Sequence, residues 1–148
     1  MKSPLLIGTD LRKASAATKA TLQAAEIIAV SQDDLGVAGD LVWQEGAKRV
    51  YAGPLADGSR AVVAWNLHHY GDQFATDNYT IPFDIIGFTN TTKATVRDMY
   101  ARSDLGEFTG GYPAAVPLHG VLALRVTPVA VEERDTTWRP WHATSRRS

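Results

Sequence analysis

Arg60-Ala61-Val62-Val63-Ala64-Trp65-Asn66-Leu67 is the stretch on which the fold class turns. Side chains alternate between the two faces of a strand. Val62 and Ala64 therefore share one face, and Val63, Trp65 and Leu67 share the other. Both sets are apolar, which predicts a central strand covered on both sides, with Trp65 in the core. The turn Ala56-Asp57-Gly58-Ser59 precedes it. Working outward, period-two segments recur at 40–44, 49–52, 79–83, 94–100 and 120–126, with a short one near 107–109. Turns are expected at 70–72, 102–106 and 110–113. In the last long segment Leu122, Leu124 and Val126 face inward and Arg125 outward. Several short strands separated by turns predict an antiparallel β-sandwich over residues 37–128. Beyond that the alternation fails. Glu132-Glu133-Arg134-Asp135 and the run from Arg139 to Ser148 carry mixed charge without period, so 129–148 reads as a flexible, solvent-exposed tail that includes Trp138 and Trp141.

The first 36 residues have a different character. Pro4-Leu5-Leu6-Ile7-Gly8-Thr9-Asp10-Leu11-Arg12 is an apolar run that meets a Gly-Thr-Asp turn. Leu5 to Gly8 reads as a short buried strand. Ser15 is placed to cap a helix over 16–24, which is rich in alanine. Glu26-Ile27-Ile28-Ala29-Val30 continues as a helical turn or a strand and ends at Asp33-Asp34-Leu35-Gly36. One strand followed by one helix is a βα unit. A buried parallel strand needs neighbours on both sides, so this unit is expected to belong to something larger. Any α/β architecture satisfies that pattern.

Composition narrows the function classes. The chain has 148 residues, a formal net charge of -1 and no cysteine. No basic field is available for a phosphate backbone, which argues against a nucleic-acid partner. No apolar run reaches the roughly 20 residues that a membrane-spanning helix needs. A disulfide framework and a thiolate metal site are both excluded. Asn78-Tyr79-Thr80 and Asn90-Thr91-Thr92 fit the N-glycosylation pattern, which makes Asn78 and Asn90 candidate acceptors that matter only in a secreted parent.

Several segments together carry a family resemblance. Pro4-Leu5-Leu6-Ile7-Gly8-Thr9-Asp10-Leu11-Arg12, a helical stretch, and then Ala24-Ala25-Glu26-Ile27-Ile28-Ala29-Val30-Ser31-Gln32-Asp33-Asp34-Leu35-Gly36 resemble the end of the catalytic barrel in melibiase-type α-galactosidases. That glycoside hydrolase family also contains the α-N-acetylgalactosaminidases. Tyr51-Ala52-Gly53-Pro54-Leu55, Val62-Val63-Ala64-Trp65-Asn66, Arg97-Asp98-Met99-Tyr100 and Val116-Pro117-Leu118-His119-Gly120 follow in the family's order. The resemblance runs from about Lys2 to Pro128. It implies that 1–36 is the last βα unit of a (β/α)8 barrel and that the sandwich is the domain after it. It also implies a parent that hydrolyses terminal α-linked galactose with retention and without a cofactor, and a barrel as the intramolecular partner. Ser31 stands where the family commonly has Asn.

A retaining glycosidase needs two carboxyl groups about 5 Å apart. In the family both are Asp residues on earlier barrel strands, one in a K-x-D motif, and a W-N-D-P-D segment follows them. None of these motifs occurs in the chain. The resemblance therefore assigns it no catalytic residue, and the chain alone is expected to be inactive. Asp10 would close the eighth barrel strand, with Arg12 two residues on. The pair either orients groups that touch substrate, or serves as a loop ion pair or an N-terminal cap for the helix. The four histidines include no i, i+4 pair, and His68 and His69 would point to opposite faces of a strand, so no metal is expected. Trp43 and Tyr51 read as core or interface residues. The rival to the hydrolase reading is a free-standing carbohydrate-binding or interaction module.

Overall fold

Gly58, with φ 87°, closes the turn that joins two long strands. Asp57 holds that turn by accepting hydrogen bonds from the backbone N–H and hydroxyl of Ser59 (3.0 and 2.6 Å). The computed structural model describes residues 5–68 and 76–129. The elements are α1 (Ala16–Leu22), α2 (Ala25–Ser31), β1 (Asp40–Glu45), β2 (Lys48–Pro54), β3 (Arg60–Asn66), β4 (Thr76–Pro82), β5 (Lys93–Asp98), β6 (Ser103–Thr109), β7 (Gly111–Pro117) and β8 (Val121–Pro128). The strands form a six-stranded sheet in the order β1-β2-β3-β8-β5-β6 and a two-stranded sheet of β4 and β7. Every pairing is antiparallel. The mainly β sandwich inferred from the strand pattern is the architecture observed.

The core lies between the sheets. Register partners Ala52, Val62 and Leu124 share the inner face of the large sheet, as do Val50 and Ala64 and, on β5, Ala94 and Val96. Ile81, Phe83, Ile86, Ala114 and Val116 meet them from the other side. Trp43 stacks on Tyr79 across the gap, with ring centroids 5.2 Å apart. Two polar side chains are buried among these groups and are satisfied. Arg60 donates from Nε to the Ile86 carbonyl (3.0 Å) and from Nη2 to that of Gly87 (3.2 Å), with its guanidinium 4.6 Å from the Phe88 ring centroid. Asn66 donates from Nδ2 to the Val116 carbonyl (3.1 Å), and its Oδ1 accepts from the His68 backbone N–H (3.0 Å). A buried amide must be paired in this way or carry a desolvation penalty. Asn66 thus stitches β3 to β7.

Between β6 and β7 the chain changes sheets over a single residue. Gly110, with φ 75°, separates β6 from β7. Its N–H donates to Thr92 O (3.0 Å) and its carbonyl accepts from Phe83 N–H (2.9 Å). Phe108 and Tyr112 meet edge to face across the switch (5.0 Å, 88°).

Several expectations need correction. Residues 5–8 carry no strand, because they have no ladder partner among the described residues. The helix after Ser15 does form, with the Ser15 hydroxyl accepting from Thr18 N–H (3.0 Å). It stops at Leu22, and of the two readings open for 26–30 the helical one holds, as α2. Trp65 is not core: it is 40% exposed. β3 is central in its sheet, but the two-stranded sheet covers only its Val62 side. On the opposite face Trp65 stands beside its cross-strand partners Arg49 and Val121. Residues 110–113, read as a turn, contain the start of β7. Pro113 and Pro117 are tolerated there because β7 pairs only with β4 and needs no donor on its other edge. The expected tail falls at 130–148, outside the described residues, as does the turn at 70–72.

Two outcomes follow from this packing. A Cβ on Gly110 would lie 2.6 Å from Asn90 O, whereas one on Gly46 (φ 54°) would meet nothing within 4 Å. In urea denaturation Gly46→Ala should lose about 1 kcal/mol from backbone strain alone, and Gly110→Ala about 3 kcal/mol because strain and clash combine. Asn66→Ala should cost about 1–3 kcal/mol by orphaning the Val116 carbonyl. Loss of hydrogen-exchange protection in that variant should concentrate in β7.

Candidate functional site

Asp10 and Arg12 lie close together in sequence and interact directly. Arg12 donates from Nε to Asp10 Oδ1 (2.9 Å) and from Nη2 to Oδ2 (3.1 Å), and its backbone N–H donates to Oδ1 (3.0 Å). These bonds hold the Asp10 carboxyl below its usual range and raise the Arg12 guanidinium above its own. Both residues are exposed. The fork favours the charged carboxylate, in a segment that also exposes Leu5, Leu6, Ile7 and Leu11.

A larger ionic assembly lies where α2 meets the outer face of the six-stranded sheet. Register partners Arg97 and Arg125 stand directly opposite each other on β5 and β8. Like charges at such a pair repel, and each is compensated separately. Arg97 makes a two-pronged bond to Glu26 of α2 (2.9 and 2.7 Å), while its Nη1 donates to Asp104 (2.9 Å) and its Nη2 to the Arg102 carbonyl (3.0 Å). Arg125 donates to Asp57 (2.6 Å) and to the Ser59 hydroxyl (3.1 Å). The Arg97 bond depresses the Glu26 carboxyl and raises the Arg97 guanidinium. Burial works against the charge on Asp57, but the bonds from Ser59 and Arg125 outweigh it and hold that carboxyl low as well. Further along, Asp33 accepts from Ala56 N–H (3.2 and 3.0 Å) and ties the end of α2 to the β2–β3 turn. Ala24, between the helices, is buried.

Near the end of β3, His68 Nε2 lies 3.4 Å from Asp77 Oδ2, and the Asp77 side chain is 6% exposed. Tyr79, two residues on, is desolvated and faces the Asp77 charge, and its phenol is pushed up to about 12. Lys48 Nζ sits 5.8 Å from that ring centroid.

The sequence-level candidates divide accordingly. Asp10 and Arg12 are joined. Asn78 on β4 and Asn90 in the turn before β5 are both exposed. Trp43 and Tyr51 are half-buried, and Trp43 packs on the core. Among the described residues no three His, Cys, Asp or Glu side chains gather to hold a metal, and no helix is long and apolar enough to cross a membrane. His69, His142, Trp138 and Trp141 lie outside the described residues. The Glu26–Arg97 contact went unread in the sequence, since 71 positions separate the two residues. The only signal for it was the Arg97-Asp98-Met99-Tyr100 motif.

Comparison with known proteins agrees with this architecture. Residues 45–126, more than half of the chain, match the family described as the alpha galactosidase C-terminal beta sandwich domain. An α-galactosidase of Oryza sativa subsp. japonica is 38% identical over 127 residues, covering 86% of this chain and 29% of that protein. One from Coffea arabica is 39% identical over 127 residues, covering 86% of this chain and 32% of that protein. The crystal structure of α-galactosidase I from Mortierella vinacea superposes with a TM-score of 0.76 at 29% identity, covering 84% of this chain and 32% of that one. A β-L-arabinopyranosidase from Geobacillus stearothermophilus shares the fold, with a TM-score of 0.76 at 21% identity. The chain thus spans about a third of the length of the relatives it matches. The sheet order, the sequence match and these neighbours agree: the chain belongs to the α-galactosidase family, in which it corresponds to the C-terminal β-sandwich domain.

Proposed function

We propose that this chain is the C-terminal portion of a retaining α-galactosidase, with residues 1–36 the last βα unit of the catalytic barrel, 37–128 the sandwich that braces it and 129–148 a tail. The whole enzyme would hydrolyse terminal α-linked galactose through a galactosyl-enzyme intermediate. The observation that carries this reading is the match to α-galactosidases over most of this chain but only about a third of theirs. The exposed Leu5, Leu6, Ile7, Leu11 and Leu35 support it. Apolar side chains clustered in one exposed segment mark a surface meant to be covered, and a barrel would cover them. In the same reading Asp10 and Arg12 orient groups that hold the sugar, and Asn78 and Asn90 are glycan acceptors if the protein is secreted. Nucleophile and acid/base would both come from the barrel, because the motifs that carry them are absent from this sequence.

One observation favours a second reading, a sugar-binding module. Trp65 presents an exposed indole beside Val121 on the open face of the sheet, and exposed aromatic rings stack on sugars. Quenching of Trp fluorescence by galactose at millimolar concentration would support that role. No response, together with an effect in the full enzyme, would refute it.

The purified chain should release no nitrophenol from a nitrophenyl α-galactoside above the buffer rate, and turnover would overturn the assignment. Leu6 is 90% exposed, so the isolated chain should also bind a hydrophobic dye and associate as its concentration rises. Leu6→Ser together with Ile7→Ser should reduce both signals.

A further inference from the structure

We propose that Arg97 is an acid-released latch that fixes α2 on the outer face of the six-stranded sheet, so that the helical segment and the sandwich move as one body. The boundary between 1–36 and 37–128 read from sequence is then bridged by a specific contact. Three observations support the latch. Glu26 of α2 makes a two-pronged bond to the sheet, and that bond is short. Besides Glu26, Arg97 is bonded to Asp104 and to the Arg102 carbonyl, so its guanidinium has sheet-side partners that do not depend on the helix. Arg97 also stands opposite Arg125. Without Glu26 that like-charged pair keeps only Asp104 and Asp57 as counter-charges.

The groups facing Glu26 are Arg97, Arg102 and Arg125, and all three favour its charged form. Other ties of the helical segment include Arg102 Nη2 to the Gln23 carbonyl (3.5 Å) and Asp33 to Ala56 N–H. The first bond is long, and the second lies beyond the C-terminal end of α2. The sign of the acid effect follows from linkage. Glu26 is held below its ordinary carboxylate value of 4.5 by the Arg97 bond. Its contribution is therefore complete above that value and is lost as pH falls through the depressed folded one. The Glu26 and Arg97 side chains keep 27% and 33% exposure, so salt weakens the latch as well.

The test is site-resolved hydrogen exchange on the whole chain, scored as protection factors for Ala25–Ser31 against those of β3 and β8. At pH 7 Glu26→Gln and Arg97→Met should lower α2 protection about tenfold, the order expected when a charged hydrogen-bonded pair is broken. β3 and β8 should keep theirs. Arg97→Lys should recover part of the loss. Wild type carried into acid should approach the Glu26→Gln value. Glu45→Gln, a carboxyl removed elsewhere on the surface, should leave α2 at wild-type protection. If Arg97→Met disturbs the sheet, Glu26→Gln carries the test alone, since it changes no strand. Wild-type protection of α2 in Glu26→Gln at pH 7, or equal loss in Glu45→Gln, would overturn the latch. Either result would leave the hydrolase reading untouched, because the readout is exposure of α2 and not turnover.

Discussion

A two-stranded sheet is marginal in water on its own, and β4–β7 is such a sheet. The inner face of the six-stranded sheet covers it. Its apolar face, Ile81, Ala114 and Val116, together with Phe83 and Ile86 just beyond β4, must lie against Val50, Val62, Ala64, Val96 and Leu124 of the large sheet. The polar anchors reinforce the same contact. Asn66 reaches Val116, and Arg60 reaches Ile86 and Gly87, so both of these buried side chains end on backbone carbonyls. Gly110 lets one continuous chain supply both sheets with no loop between β6 and β7, which keeps the entropic cost of bringing them together small.

The two faces of the six-stranded sheet are organised by different physics. The inner face is apolar and non-directional. The outer face near β5 and β8 is ionic, with Arg97 and Arg125 side by side and each separately neutralised by carboxylates from α2, from β6 and from the β2–β3 turn. Ion pairs of this exposure contribute modest stability, but a two-pronged bond between a guanidinium and a carboxylate fixes orientation. That is a suitable means of holding a helix of seven residues with no fully buried side chain. At the other end of the same face, Trp65 and Val121 stay open.

How much was legible in the sequence depended on what each residue needed. β1, β2, β3, β5 and β8 were read from alternation because one face of each is buried, and the Ser15 cap was read because its chemistry is local. β6 was nearly invisible: it is an edge strand whose residues are almost all exposed, so no alternation is imposed on it. β7 was hidden by Gly111, Pro113 and Pro117, residues that signal turns anywhere but on an edge. Trp65 was misplaced because alternation shows that two faces are apolar but not that a second layer exists to cover both. Of the candidate site, the Asp10–Arg12 pair was visible as neighbours, whereas Glu26–Arg97 joins residues too distant for any local pattern to reveal.

Local sequence determined the strand and helix segments, the caps and turns, and, through the ordered motifs, the family. Those properties depend on neighbours within a few residues, or on motifs that survive as short words. Tertiary structure alone decided which strands lie side by side, which face of β3 is covered, where the chain changes sheets, and that Arg97 holds α2. Each of these is set by the company a residue keeps after the chain has folded back on itself, and only a complete packing arrangement specifies that company.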